Sequence, residues 1–128
     1  MKPTELRIGN YVWDDYSGEM IVRLISLDYV DCSKTIDLPS GRFFEIHPIP
    51  LTEDWLKKFG FEKTNALPEC LSKISDHYEW VNKIEYEIRQ NKSDLKFIEC
   101  YLGKEIKYVH SLQNLYFALT GKELILKS

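Results

Sequence analysis

The chain has 128 residues, of which 44% are hydrophobic and 29% charged, an ordinary globular balance that supports one domain or two small units around a buried core. Its formal net charge is −3, and the acidic excess lies wholly in residues 1–60, with 7 Lys/Arg against 10 Asp/Glu, while residues 61–128 carry 10 of each. Neither half has the basic surplus that sequence-independent binding to nucleic acid draws on, and no apolar run is long enough to span a bilayer.

The opening MKPTELRIGN lacks the apolar stretch of a secretion signal, so a cytoplasmic location without membrane attachment is expected. Cys32, Cys70 and Cys100 form no C-x-x-C pair, which fits reduced thiols serving as small core residues better than a disulfide framework or a zinc site.

Residues 1–50 read as a compact β unit. Gly9-Asn10 precedes a strand at Tyr11–Trp13, and Asp14 to Gly18 is turn chemistry. EMIVRLISL (19–27) places apolar side chains on both sides of a strand, which predicts cover on both faces. Tyr29–Ser33 and Arg42–Ile46 supply two more strands, with a turn at Pro39-Ser40-Gly41. Short strands with close turns predict a small SH3-like β-barrel as a first domain.

HPIPLTEDWLKKFGF (47–61) marks the boundary to a second domain, 51–128. Pro48 and Pro50 enforce extended backbone, and Thr52 is an N-cap followed by acidic Glu53 and Asp54. Lys57 and Lys58 suit the negative end of the helix, and Gly60 suits its left-handed stop, so a linking helix is predicted over 52–59. Pro68–Ser75 predicts one or two helical turns. Tyr78, Trp80, Ile84, Tyr86 and Ile88 alternate with charged residues, which predicts a single strand with one wet face. A turn at 91–94, a strand at Leu95–Leu102 and a tight turn at Gly103-Lys104 into 105–107 complete an antiparallel meander. The last helix spans Val109–Thr120 with Gly121 as its stop, is predicted to pack on that sheet, and Lys122–Leu126 is expected as an edge strand. The fold class is α+β.

Three stretches, ELRIGNYV (5–12), PIPLTEDWLKKFGF (48–61) and IKYVHSLQNLYFALTGKEL (106–124), resemble a group of small uncharacterised proteins of Bacteroides-type bacteria and their prophages. The resemblance covers about a third of the chain and leaves 62–105 unmatched. It implies a mobile-element context and carries no catalytic residue.

His47, His77 and His110 are scattered, and the sequence holds no nucleophile elbow, P-loop or dinucleotide fingerprint. No enzyme, cofactor or metal is therefore expected. Pairing Cys100 with His110 as nucleophile and base would need a proximity that spacing does not establish.

Between Val109 and Thr120 there is no Asp, Glu, Lys or Arg. At 3.6 residues per turn, Val109, Leu112, Leu115, Tyr116 and Leu119 fall in one apolar stripe, and His110, Gln113, Asn114 and Phe117 gather on a separate flank. Two readings stand for that flank. Amides, His and Phe suit a contact surface for a protein partner or a second copy of the chain; equally, the flank packs inside the chain against the barrel or the 52–59 helix. A less favoured alternative is contact with nucleic acid through the rings of Tyr11, Trp13, Tyr16, Tyr29 and Phe43, which the acidic charge of that half opposes. Exposure of those rings beside Arg7, Arg23 or Arg42 is the discriminating feature.

Overall fold

A computed structural model of the chain describes residues 5–26, 29–35, 39–43, 45–64 and 77–126. The class is α+β, with two antiparallel sheets and a C-terminal helix. The chain divides into two units. The first comprises residues 1–50 and 108–123, and the second 51–107 and 124–128. The C-terminal helix, expected with 51–128, thus belongs to the N-terminal unit, because its polar side chains are bonded to the chain around the first strand.

In the first unit β1 (Tyr11–Asp14), β2 (Gly18–Ile25), β3 (Val30–Ser33) and β4 (Gly41–Phe43) pair in sequential order. Asp14 shapes the β1–β2 turn by accepting the Tyr16 and Ser17 main-chain N–H groups at 3.2 and 2.8 Å, and Gly18 takes the positive φ of 81° that the turn needs. Leu6, Val12, Met20, Val22, Val30, Cys32 and Ile46 make the core, with Ile25 and Phe43 packed against it. The expected two-sided cover of β2 does not hold: a bulge between Val22 and Leu24 shifts the register, and Leu24 is exposed. The strand expected at 42–46 is cut to β4. Beyond it His47 exchanges two backbone hydrogen bonds with Trp13, at 2.9 and 2.8 Å, on the edge of β1 that β2 leaves open. Among the described residues the sheet does not close into a barrel.

The second unit opens with α1 (Glu53–Lys58), where the local signals meet. Thr52 Oγ1 accepts the Trp55 N–H at 3.4 Å, acidic residues fill the first turn and lysines the last, and Gly60 has φ 88°. Trp55 and Leu56 carry its buried side. The meander follows as β5 (Glu62–Thr64), β6 (His77–Val81), β7 (Glu87–Asn91), β8 (Phe97–Glu99) and β9 (Lys104–Ile106), in that order across the sheet. The helical turns predicted at Pro68–Ser75 lie outside the described residues.

The strand expected from Tyr78 through Ile88 is a hairpin. Asn82 Oδ1 accepts the N–H groups of Ile84 and Tyr86 at 3.2 and 2.9 Å, Glu85 turns at φ 62°, and Trp80 pairs with Ile88. The wet face survives, since Glu87 and Arg89 are exposed while Trp80 and Ile88 are buried. At the β8–β9 turn the buried Glu99 carboxylate accepts the Tyr101 and Leu102 N–H groups at 2.5 and 2.6 Å. Residues 122–126 form no strand.

Candidate functional site

The C-terminal helix α2 spans Val109–Thr120, as the sequence indicates, and Gly121 ends it at φ 72° with its N–H bonded to Phe117 O at 2.8 Å. Its start is fixed from outside: Tyr108 pairs with Pro50, and the Val109 N–H donates to Ile49 O at 2.9 Å. Among the described residues no side chain caps this end, and the first turn holds no acidic residue.

The buried face is Val109, His110, Leu112, Gln113 and Tyr116. Leu115 is half-buried and Leu119 is 42% exposed, whereas Gln113 is only 2% exposed. The centre of the core stripe is therefore rotated by roughly 70°, about two-thirds of the step between successive residues, towards the polar flank. An amide takes the central place expected for a leucine.

Gln113 can occupy that place because every polar atom of its side chain is bonded. Its Oε1 accepts the Tyr11 N–H at 2.9 Å and its Nε2 donates to Gly9 O at 3.0 Å. One side chain thus serves β1 as a neighbouring strand would. Asn114 Oδ1 accepts from Asn10 Nδ2 at 2.8 Å and from Arg7 Nη1 at 3.2 Å, and its Nδ2 donates to Glu5 O at 3.2 Å. Asn10 Oδ1 in turn accepts the Arg7 N–H at 2.7 Å. Arg7 completes the cluster through an ion pair with Glu123 and lies 4.0 Å above the Phe117 ring.

The four flank residues therefore part ways. Gln113 and Asn114 are internal fastenings and His110, 6% exposed, is buried, while Phe117 remains 39% exposed. Arg7 and Asn10, which do as much as the helix residues to build this cluster, were not singled out as its members by the sequence pattern. The polar interruption in ELRIGNYV was the available sign.

His110 stacks on Tyr108, with ring centres 5.8 Å apart and planes 9° from parallel. Burial pushes its imidazole pKa down, with the nearby Glu5 acting in the opposite direction. Its Nδ1 has no hydrogen-bond partner among the described residues. His110 also lines a cleft of about 730 Å³ together with Glu5, Pro48, Tyr108, Ser111 and Asn114.

The aromatic residues considered for nucleic acid do not behave alike. Trp13 is exposed on β1, Tyr11 is half-buried there, and Tyr16 is fully exposed in the β1–β2 turn. Burial, with the Glu19 charge, raises the Tyr11 pKa. Phe43 packs against the core. Of the three arginines, Arg42 lies 4.0 Å above Tyr29, Arg23 bonds Ser33 Oγ at 3.3 Å, and Arg7 is committed to the α2 cluster.

The described thiols are poorly disposed to nucleophilic chemistry. Burial and the charges of Asp31 and Asp14 push Cys32 up to about 11, and burial also raises Cys100. Among the described residues no group of three His, Cys, Asp or Glu side chains could hold a metal ion, and no helix is long and apolar enough to cross a membrane. In comparisons with known proteins, no family model, curated protein or solved structure matches the chain.

Proposed function

We propose that this is a non-enzymatic protein-binding or adaptor protein whose contact surface is the C-terminal half of α2, centred on Phe117. One observation carries the reading: Phe117, Ala118 and Leu119 are consecutive, exposed and uncharged. A water-facing helix surface ordinarily carries Lys or Glu, whereas Phe and Arg are enriched in the cores of interfaces. Arg7, held over Phe117 by Asn114 and Glu123, supplies an ordered cation at the rim.

The partner is another protein or a second copy of this chain. The resemblance to prophage-borne proteins of Bacteroides-type bacteria supplies the context, a mobile-element protein acting in the cytoplasm. For the first unit the reading includes an SH3-like barrel, supported by the His47–Trp13 pairing beside β1. The test is Phe117→Glu and Leu119→Glu, compared with wild type by light scattering and by affinity capture from host lysate with quantitative mass spectrometry. Both variants are expected to melt close to wild type and to lose an oligomer or a captured protein. A monomeric wild type that captures nothing the variants lose overturns the proposal.

A second reading, a nucleic-acid-binding accessory protein, draws on the Arg42–Tyr29 stack together with exposed Trp13 and Tyr16. A salt-sensitive gel shift of a single-stranded oligonucleotide, lost in Trp13→Ala, would raise it above the first.

A further inference from the structure

The exposed Phe117 ring stands beside a pair of opposite charges, and that pair decides what fits it. α2 carries no charged side chain from Val109 to Thr120, so a partner helix meets neither attraction nor repulsion along its length. The charge at its rim comes from Arg7 and Glu123, one of each sign, joined in an ion pair. Arg7 lies 4.0 Å above the Phe117 ring and is steadied by Asn114 Oδ1 at 3.2 Å and Gln113 O at 3.5 Å. Both charged side chains stay partly open to solvent, 29% for Arg7 and 47% for Glu123. A guanidinium has N–H donors beyond those one carboxylate takes, and a carboxylate accepts several hydrogen bonds, so each can serve a second partner.

The amides beside the pair offer a foreign protein little to read. Gln113 is bonded to Tyr11 and Gly9, and Asn114 to Asn10, Arg7 and Glu5, all within the same unit. Selection at this face therefore falls to the shape around Phe117 and Ala118 and to the Arg7–Glu123 pair. Such a rim is its own complement. A two-fold axis sets one patch against an identical patch, so an axis beside Phe117 brings each Arg7 to the other copy's Glu123. The helices then run antiparallel, the two Phe117 rings meet as an aromatic pair, and Ala118 lets the backbones approach. A parallel pair would carry the two ion pairs to opposite sides of the seam, where neither gains a second partner.

We propose that the partner at Phe117 is a second copy of this chain, with α2 packed antiparallel on α2 and the two Arg7–Glu123 pairs closed into one alternating ring of four charges. This deepens the protein-contact reading and rests on it. A helix of 12 residues is about 18 Å long, and one face of it falls short of the roughly 800 Å² per partner of a stable interface. The dimer is therefore weak and forms as concentration rises.

The experiment is sedimentation equilibrium of the full chain from about 10 μM to about 1 mM, with thermal melting of every variant. Wild type is expected to show a reversible monomer–dimer equilibrium that Phe117→Glu abolishes. Glu123→Lys, which puts like charges around the ring, should weaken association about fivefold or more, since symmetry counts the pair twice. Glu87→Lys makes the same change of net charge at an exposed site in the second unit and should leave association unaltered. A wild type that stays monomeric throughout the range overturns the inference. So does a dimer that survives Phe117→Glu, or one that Glu87→Lys weakens as much as Glu123→Lys. A monomeric wild type whose Phe117→Glu variant still loses a captured protein would sink this inference alone and leave the protein-contact reading standing.

Discussion

The two helices solve the same problem by opposite means. In α1 the order is local: Thr52 caps the start, Glu53 and Asp54 face the positive end, Lys57 and Lys58 the negative end, and Gly60 releases the chain. In α2 no side chain among the described residues caps the start, neither end carries a helpful charge, and a buried glutamine replaces part of the apolar stripe. What holds α2 is distant in sequence, a set of amide hydrogen bonds to Gly9, Asn10 and Tyr11. Local signals make a helix, and non-local bonds decide which of its faces turns inward.

The contrast breaks first where the two helices should agree. Leu56 in α1 and Leu112 in α2 are both fully buried. Leu→Ala at either is expected to cost roughly 2–5 kcal/mol, the range for a truncated core leucine. Urea denaturation checks this. A cost below about 1 kcal/mol at Leu112 would mean that the amide cluster alone holds α2, outside the usual range for such a site.

The sharper test is Gln113→Ala. Truncation removes the two part-buried hydrogen bonds that the buried Gln113 side chain makes to the Tyr11 N–H and the Gly9 carbonyl, which at roughly 0.5–1.5 kcal/mol each costs roughly 1–3 kcal/mol. Combined with Asn10→Ala, the loss should be less than the sum of the singles, because the two amides share one network. Strict additivity in a double-mutant cycle would show that the network is not cooperative.

Thr52→Ala sits lower, at about 1 kcal/mol, the usual worth of an N-cap. No corresponding single substitution exists at the start of α2, where Tyr108 gives no side-chain cap. Tyr108→Ser should therefore add a cap acceptor and reveal, by a rise or fall in denaturation midpoint, whether stacking on His110 outweighs it. A fall is expected, since the stack lies over a buried ring.

These cases show why part of the architecture was legible and part was not. The cap, charges and glycine of α1 lie within nine residues, so the chain itself displays them. The β6–β7 turn was hidden because a hairpin preserves side-chain parity: Trp80 and Ile88, paired across the strands, keep the same face, and the alternation in the sequence runs on through Asn82 and Glu85. The inward rotation of α2 depends on partners 102–107 positions away, which one sequence cannot pair. The uncharged run did point to an unusual surface. It did not reveal that two of its four flank residues, Gln113 and Asn114, serve the inside of the same unit.

The smallest expected effect is in pH dependence, and it concerns His110. Burial holds its pKa below the ordinary imidazole value of about 6.5, with Glu5 only partly opposing. Between the two values the unfolded chain binds a proton that the folded chain does not, so stability rises with pH through this window. It is fully present above the ordinary value, declines as pH falls through it, and levels off once the folded imidazole is also protonated. Denaturation midpoints from pH 7.5 to 5 should therefore fall more in wild type than in His110→Gln. The difference between the two curves isolates the contribution of His110. Parallel curves would mean that the ring takes up its proton as easily folded as unfolded, and that the cleft beside Tyr108 is wetter than its burial implies.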